Sequence, residues 1–157
     1  MTSAGKQNKW DQRFLALCNH ISNWSEDRDF NVGAVIVGPD LEIRATGYNG
    51  LPRGVRSEDD ARFDRKSGEK FFWIEHAERN AIYNAARSGA ALFGCSIYVN
   101  RFPCADCARA INQSGIKTVY CPAKPKFDGA LDHSFDVSEI LLSEANVRIV
   151  TLQEDTS

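Results

Sequence analysis

The second half of the chain alternates between segments of helical and of strand character, with short connections between them. The spacing of apolar residues predicts helices over 75–87, 104–114 and 135–145 and, between and after them, strands over 96–100, 116–121 and 147–152. Strands that alternate with helices in this way pair in parallel through right-handed crossovers. The second half therefore predicts a parallel β-sheet covered by helices.

The first half adds a helix and a β-hairpin. Apolar residues recur at helical intervals over 9–24. The near-continuous apolar run 32–37 is typical of a buried strand, and turn residues at 38–40 connect it to an alternating segment over 42–48. Because hairpin strands are antiparallel, the complete prediction is an α/β fold, a three-layer α/β/α sandwich around a mixed five-stranded sheet.

The length and charge of the chain restrict what kind of protein it can be. Its 157 residues suit a single domain, which we expect to span 1–157. The formal net charge of −2 disfavours a broad nucleic-acid-binding surface, so no nucleic-acid partner is expected. No segment has the apolar character of a signal peptide or a membrane span, and the five scattered cysteines are poor material for a disulfide framework. We therefore expect a cytoplasmic protein without a membrane partner.

Two short motifs carry the chemistry. The first contains His76 and Glu78, and the second is the Pro-Cys-x-x-Cys run over 103–107. Each lies where a helix is predicted to begin, so two helix N-termini should converge on one metal ion. His76, Cys104 and Cys107 are good zinc ligands, whereas a structural zinc normally takes four ligands from the protein. Three ligands beside a spare carboxylate, Glu78, are typical of a zinc site that activates water.

Two other interpretations of the cysteine motif stay open. A lone Cys-x-x-Cys pair beside a strand–helix junction is also typical of thiol-redox proteins. The same residues could instead hold a zinc ion with a purely structural role, in a domain without catalytic activity. A redox pair would form a reversible disulfide between Cys104 and Cys107 and would have no use for Glu78.

The motifs resemble those of the cytidine and deoxycytidylate deaminase superfamily. The similar blocks are 32–37, 46–54 with its Gly-Tyr-Asn-Gly turn, 76–82 with its His-Ala-Glu run, 102–108 with its Pro-Cys-x-x-Cys run, and 111–116. The Gly-Tyr-Asn-Gly turn makes the chain most similar to the deoxycytidylate (dCMP) deaminase branch. The resemblance implies the cytidine deaminase-like fold and zinc-dependent hydrolytic deamination of a pyrimidine nucleotide, dCMP to dUMP and ammonia.

The resemblance also implies how the site is assembled. It makes His76, Cys104 and Cys107 the ligands of one zinc ion per chain and Glu78 the catalytic group that carries protons. The expected partner is a small-molecule nucleotide or base, and the expected assembly is a homo-oligomer, from dimer to hexamer. The same chemistry on another amino-bearing ring, of the cytosine, guanine, adenine or pterin type, stays open. Adenosine in tRNA is disfavoured by the acidic balance of the chain.

Contacts to the substrate are the least determined part of this prediction. By resemblance, Asn49 meets the sugar hydroxyl, and Ala77 and Pro103 border the substrate. Arg53 and Arg56 are candidates for the 5′-phosphate because they lie in the long polar loop that follows Asn49. Charge and location make further candidates of Lys124 and Lys126.

The aromatic run Phe71-Phe72-Trp73 precedes the first motif and could line the base pocket or pack in the core. Because aromatic side chains are mostly used in cores, we expect core packing. The cysteines outside the motif lie among apolar neighbours, and we expect them to fill small spaces in the core: Cys18, Cys95 and Cys121.

Overall fold

A five-stranded mixed β-sheet lies at the centre of the molecule, and the computed structural model describes residues 3–153. In chain order the elements are α1 (Ser3–Ser22), β1 (Gly33–Val37), β2 (Ile43–Tyr48), a 3₁₀ turn (Asp60–Phe63), α2 (Lys70–Trp73), α3 (Ala77–Ser88), β3 (Ser96–Val99), α4 (Ala105–Gln113), β4 (Thr118–Cys121), α5 (Ala130–Glu144) and β5 (Arg148–Thr151). The strand order is β2-β1-β3-β4-β5. The predicted mixed five-stranded α/β fold is therefore confirmed.

The directions of the strands determine which loops meet. β1 is antiparallel to both β2 and β3, whereas β3, β4 and β5 are parallel to one another. Gly33, at the start of β1, is paired with Tyr48, at the end of β2. Ala34 is paired with Val99, at the end of β3. One edge of the sheet therefore gathers the segment before β1 and the segments after β2 and β3, and these segments build the cavity described below.

Helices cover both faces of the sheet, which gives the predicted three layers. α1 packs on one face with the buried side chains of Phe14, Leu15, Cys18 and Ile21. α3, α4 and α5 pack on the other face, where α3 contributes a row of small residues, Ala77, Ala81 and Ala85. The three cysteines outside the motif are all buried in the core, as expected. Cys18 lies on the face covered by α1, and Cys95 and Cys121 lie on the other face.

Two helices are longer than the sequence pattern predicts. α1 begins at Ser3, before the predicted start at residue 9. The sequence pattern misses this start because residues 6–9 are polar and exposed and so carry no apolar period. α5 begins at Ala130, after the left-handed residue Asp128 (φ 57°) and the N-cap Gly129. The carboxylate of Asp132 accepts hydrogen bonds from the backbone N–H groups of Phe127 and Asp128, which fixes this turn. The expected single domain over 1–157 also includes 1–2 and 154–157, which lie outside the described residues.

The expectation that the aromatic run before the first motif packs in the core is wrong. Phe71 and Phe72 lie on the short helix α2 with 62% and 84% of their surface exposed, and Trp73 is half-buried. Phe71 instead lines the cavity beside the two motifs. The reason is that α2 is a single turn at the end of the polar loop, and Lys70 is its buried residue.

Candidate metal centre and active site

Both motifs lie at the first residues of helices, as predicted. His76 is the N-cap of α3 (φ −80°, ψ 154°) and Cys104 is the N-cap of α4 (φ −75°, ψ 172°). Neither side chain makes a capping hydrogen bond, which leaves both available to a shared site. Helix N-termini carry partial positive charge and free backbone N–H groups. Two such ends stabilise thiolate ligands and any negative charge that develops between them.

The side chains of His76, Cys104 and Cys107 are arranged as a zinc site requires. Nδ1 of His76 lies 3.5 Å from Sγ of Cys104 and 3.5 Å from Sγ of Cys107. All three ligand atoms lie within 4.8 Å of one another. Tetrahedral zinc, with Zn–S bonds of about 2.3 Å and Zn–N bonds of about 2.0 Å, separates nitrogen from sulfur by about 3.5 Å. The three side chains therefore fit one zinc ion as they stand.

The three groups influence one another's protonation through shared hydrogen bonds. A hydrogen bond from Cys107 lowers the pKa of Cys104 to about 4, with the neighbouring imidazole of His76 contributing. The same hydrogen bond, together with burial, raises the pKa of Cys107. The pKa of His76 is raised chiefly by its hydrogen bond with Cys104. One thiolate is thus available, and a bound cation would displace the protons that remain on Cys107 and His76.

Glu78 stands beside the metal group without belonging to it. It lies in the first turn of α3, and only 4% of its surface is exposed. Its Oε2 atom is 3.4 Å from Sγ of Cys107. Burial raises the pKa of Glu78, and the thiolate of Cys104 adds to this effect. A buried carboxyl with a raised pKa is suited to accept and return a proton near neutral pH.

A cavity opens beside these residues at the edge of the sheet. His76, Ala77, Glu78 and Cys104 form part of its wall. Its remaining walls are largely aromatic and aliphatic, which suits a flat ring: Phe30, Ile74, Phe102, Leu131 and Phe135.

Asn49 lines the cavity, but its side chain is occupied within the protein. Its Oδ1 atom accepts a hydrogen bond from the backbone N–H of Val32. Its amide nitrogen donates to the carbonyl of Phe30 at 2.7 Å and to the carboxylate of Asp27 at 3.3 Å. Both amide protons are used, so a lone pair on Oδ1 is what Asn49 has left for a sugar hydroxyl. The side chain also ties the segment before β1 to the end of β2.

Of the other two residues expected to border the substrate, Ala77 and Pro103, the structure places only the first in the cavity wall. Ala77 begins α3 and is completely buried. Pro103 is also buried but is not among the residues that line the cavity, whereas the neighbouring Phe102 is.

The arginines that the sequence suggested for a phosphate, Arg53 and Arg56, lie outside the cavity lining. Arg53 is exposed and donates to the side chain of Asn84 on α3. Arg56 is exposed as well. The other cationic candidates also lie elsewhere: Lys124, which forms ion pairs with Asp136 and Glu139, and Lys126.

Three cations that sequence reasoning missed line the cavity instead: Arg65, Lys70 and Arg101. Arg101 could have been found, because it stands three residues before Cys104 in the segment that leads into the metal site. Arg65 and Lys70 come from the polar loop after β2, whose course has no periodic signal. The positions of Arg65 and Lys70 in the cavity wall depend on tertiary contacts, which the spacing of residues in the sequence does not reveal.

Lys70 anchors this polar loop to the segment before β1. Its ammonium group lies 2.7 Å from the carboxylate of Asp27 and 2.9 Å from that of Asp29. The side chains of Lys70 and Asp27 expose 8% and 1% of their surface. Asp27 also accepts hydrogen bonds from the backbone N–H groups of Asp29 and Phe30. This buried network fixes one wall of the cavity.

The comparison with known families agrees with this geometry. Residues 8–123 match the family described as the cytidine and deoxycytidylate deaminase zinc-binding region. The chain belongs to this family. The matched residues include His76, Glu78, Cys104 and Cys107, so the zinc-binding region of the family coincides with the group that the structure assembles.

Relatives within the family differ in how much of their length is matched. The deaminase in the luxG 3′ region of Aliivibrio fischeri is 38% identical over 148 residues, which are 94% of this chain and 96% of the relative. The deoxycytidylate deaminase of Homo sapiens is 39% identical over 116 residues, or 71% of this chain. The matched part is 63% of the human enzyme, so the similarity spans less than two thirds of that relative.

A solved structure extends the similarity to nearly the whole fold. The dCMP deaminase of the cyanophage S-TIM5, determined in complex with dCMP and dUMP, superimposes with a TM-score of 0.74 at 25% identity. The superposition covers 97% of this chain and 99% of the phage enzyme. Within residues 3–153, no helix has the length and apolar character needed to cross a membrane.

Proposed function

We propose that this chain is a zinc-dependent hydrolase that deaminates dCMP to dUMP and ammonia. The single observation that carries the proposal is the arrangement of His76, Cys104 and Cys107 at zinc-binding distances beside the buried carboxyl of Glu78. The similarity to deoxycytidylate deaminases supports dCMP as the substrate.

Zinc held by three protein ligands lowers the pKa of a water molecule and so supplies a nucleophile at neutral pH. The chain's own residues then determine where the protons go. Glu78 accepts one proton from the attacking water and passes it to the ring nitrogen beside the reacting carbon. It then carries the second proton of that water to the amino group, which leaves as ammonia as the carbonyl forms. The overall reaction consumes one water, replaces the ring amino group with a carbonyl and leaves Glu78 as it began.

The walls of the cavity orient the base for this attack. Phe102 and Phe135 are buried and meet edge to face, with ring centroids 5.8 Å apart. A flat pyrimidine ring placed against these aromatics is shielded from bulk water. The backbone N–H of Ala77, at the start of α3, is one of those without an intrahelical partner, and we propose that it borders the base. Asn49 is the proposed contact for the sugar hydroxyl.

A panel of amino-bearing compounds tests the choice of substrate. The zinc-loaded protein is incubated with dCMP, CMP, deoxycytidine, cytosine, guanine, adenine and a pterin, and the release of ammonia is measured. We expect the highest kcat/KM for dCMP. Clear turnover of a purine or a pterin with none of dCMP would keep the reaction type and overturn the substrate. Release of ammonia from no compound would overturn the deaminase function itself.

We also propose that the protein acts in the cytoplasm and as a homo-oligomer. All five cysteines are free, as expected for a reducing compartment. Large apolar side chains remain exposed and could be covered by further copies of the chain, among them Phe72, Phe93 and Ile140. Size-exclusion chromatography with light scattering measures the number of chains in the assembly.

A further inference from the structure

The cavity wall contains two arginines whose charge is not neutralised by the protein. Of the three cations in the lining, Lys70 is paired with the carboxylates of Asp27 and Asp29. Arg65 and Arg101, by contrast, have no carboxylate within salt-bridge distance anywhere in residues 3–153. The cavity therefore presents excess positive charge on this wall.

Arg65 and Arg101 approach each other although they come from different segments. Arg65 lies in the polar loop between the 3₁₀ turn and α2, and Arg101 follows β3. Both guanidinium groups lie over the ring of Phe30, at 4.9 Å and 4.1 Å from its centroid. The pKa of Arg101 is lowered by burial and by the like charge of Arg65. Phe30 thus holds together two cations that repel each other.

The position of this pair relative to the metal group suits a nucleotide. Arg101 is three residues before Cys104, so at most about 10 Å of extended backbone separates the two Cα atoms. His76 and Glu78 line the same cavity as Arg65 and Arg101. A ligand with its base beside Glu78 and a phosphate beside Arg101 would span one continuous cavity between the aromatic side chains.

We infer that Arg65 and Arg101 together bind the 5′-phosphate of a nucleoside monophosphate and so select nucleotides over nucleosides. The inference rests on the proposed deaminase function. Two planar guanidinium groups bind the oxygens of a phosphate through paired hydrogen bonds, which a single ammonium cannot reproduce. A bound phosphate would also remove the repulsion between the arginines. Lys70 has no such role, because its charge is already neutralised by Asp27 and Asp29.

The test measures binding separately from turnover. Calorimetric titration of the zinc-loaded protein compares dUMP, the proposed product, with deoxyuridine, which lacks the phosphate. The variants are Arg65→Ala and Arg101→Ala, with Arg148→Ala as the matched control, since Arg148 is an exposed arginine on β5 away from the cavity. Circular dichroism checks that each variant is folded.

We expect the wild type to bind dUMP more tightly than deoxyuridine. Each cavity variant should lose about 10- to 100-fold in affinity for dUMP, the loss typical of a charge-assisted hydrogen bond. Affinity for deoxyuridine should stay unchanged, and Arg148→Ala should behave as the wild type. Inorganic phosphate should compete with dUMP in the wild type and lose this ability in the two cavity variants.

Three results would overturn the inference. They are equal binding of dUMP and deoxyuridine by the wild type, equal losses of affinity for both ligands in the variants, and a dUMP-specific loss that appears in Arg53→Ala or Arg56→Ala instead.

Failure of the proposed function gives a different result. Arginine-dependent binding of dUMP without any turnover of dCMP would keep the phosphate site and reject the deaminase. Rapid turnover of dCMP that does not depend on Arg65 or Arg101 would keep the deaminase function and reject the phosphate site.

Discussion

Lys70 and Asp27 form the most deeply buried ion pair that the structure describes, and together they hold the polar loop against the segment before β1. Lys70→Met would leave the carboxylate of Asp27, with 1% of its side chain exposed, without its cation. Breaking a buried pair in this way costs about 3–5 kcal/mol. We expect a loss of this size in the free energy of unfolding, measured by urea denaturation. The cavity wall should loosen as well, which lowers kcat/KM.

Lys124 provides the matched control for Lys70. It also pairs with two carboxylates, those of Asp136 and Glu139, but on the surface. Exposed pairs are screened by water and contribute little. The urea midpoint of Lys124→Met should therefore match that of the wild type. Equal losses in the two variants would contradict the structural role given to the buried pair.

Single residues differ in how readily their functional roles can be predicted from the sequence. His76, Cys104 and Cys107 can be predicted, because metal ligands occur as rare residue types at fixed spacing next to helix starts. Glu78 can be predicted with them, because it is the carboxylate two residues after His76. Arg65 cannot be predicted in the same way. It is one of several arginines in a loop without periodicity, and its contact with Phe30 depends on how that loop folds back.

At the scale of elements, the close packing of α3 on β2 positions both His76 and Glu78. Gly47 makes this approach possible, because a Cβ atom there would lie 2.4 Å from the backbone nitrogen of Ala81 and 2.5 Å from the carbonyl oxygen of Ala77. Gly47→Ala should push α3 away from the sheet. We expect a loss of about 1–3 kcal/mol in stability and, in addition, a fall in kcat, measured by urea denaturation and by dUMP formation.

Gly33→Ala is the control that separates an effect on the active site from an effect on stability. A Cβ atom at Gly33 would lie 2.1 Å from the carbonyl oxygen of Cys18, so Gly33→Ala disturbs the packing of α1 on the other face of the sheet. A comparable loss of stability is expected, with a smaller change in kcat for the protein that remains folded. If both variants lower kcat equally, the packing of α3 has no special part in catalysis.

Element types follow from the sequence more readily than element ends. The apolar run of β1 and the period of α3 are strong local signals, and both elements lie where they are predicted. The start of α5 is missed, because the turn before it is fixed by the side chain of Asp132 rather than by apolar spacing. The three-layer order follows once the strands are assigned, since helices that connect parallel strands must pack on the sheet.

At the scale of the whole molecule, the hydrophobic core and not the metal group holds the fold together. Two buried clusters, one on each face of the sheet, hold the helices in place. Removal of zinc with a chelator should therefore abolish deamination and leave the far-ultraviolet circular dichroism largely unchanged. The thermal midpoint should fall, because a ligand that binds the folded state stabilises it. Unfolding of the protein on chelation would indicate a structural zinc instead.

The most direct measurement is the rate of dUMP formation from dCMP by the wild type and by Glu78→Gln, each at a known zinc content. Gln has nearly the shape of Glu but cannot carry a proton, and Glu78 is not among the three metal-binding residues. We predict one zinc per chain in both proteins and a rate roughly 10²–10⁴-fold lower in the variant. A zinc-loaded variant that forms dUMP at the wild-type rate would contradict the account.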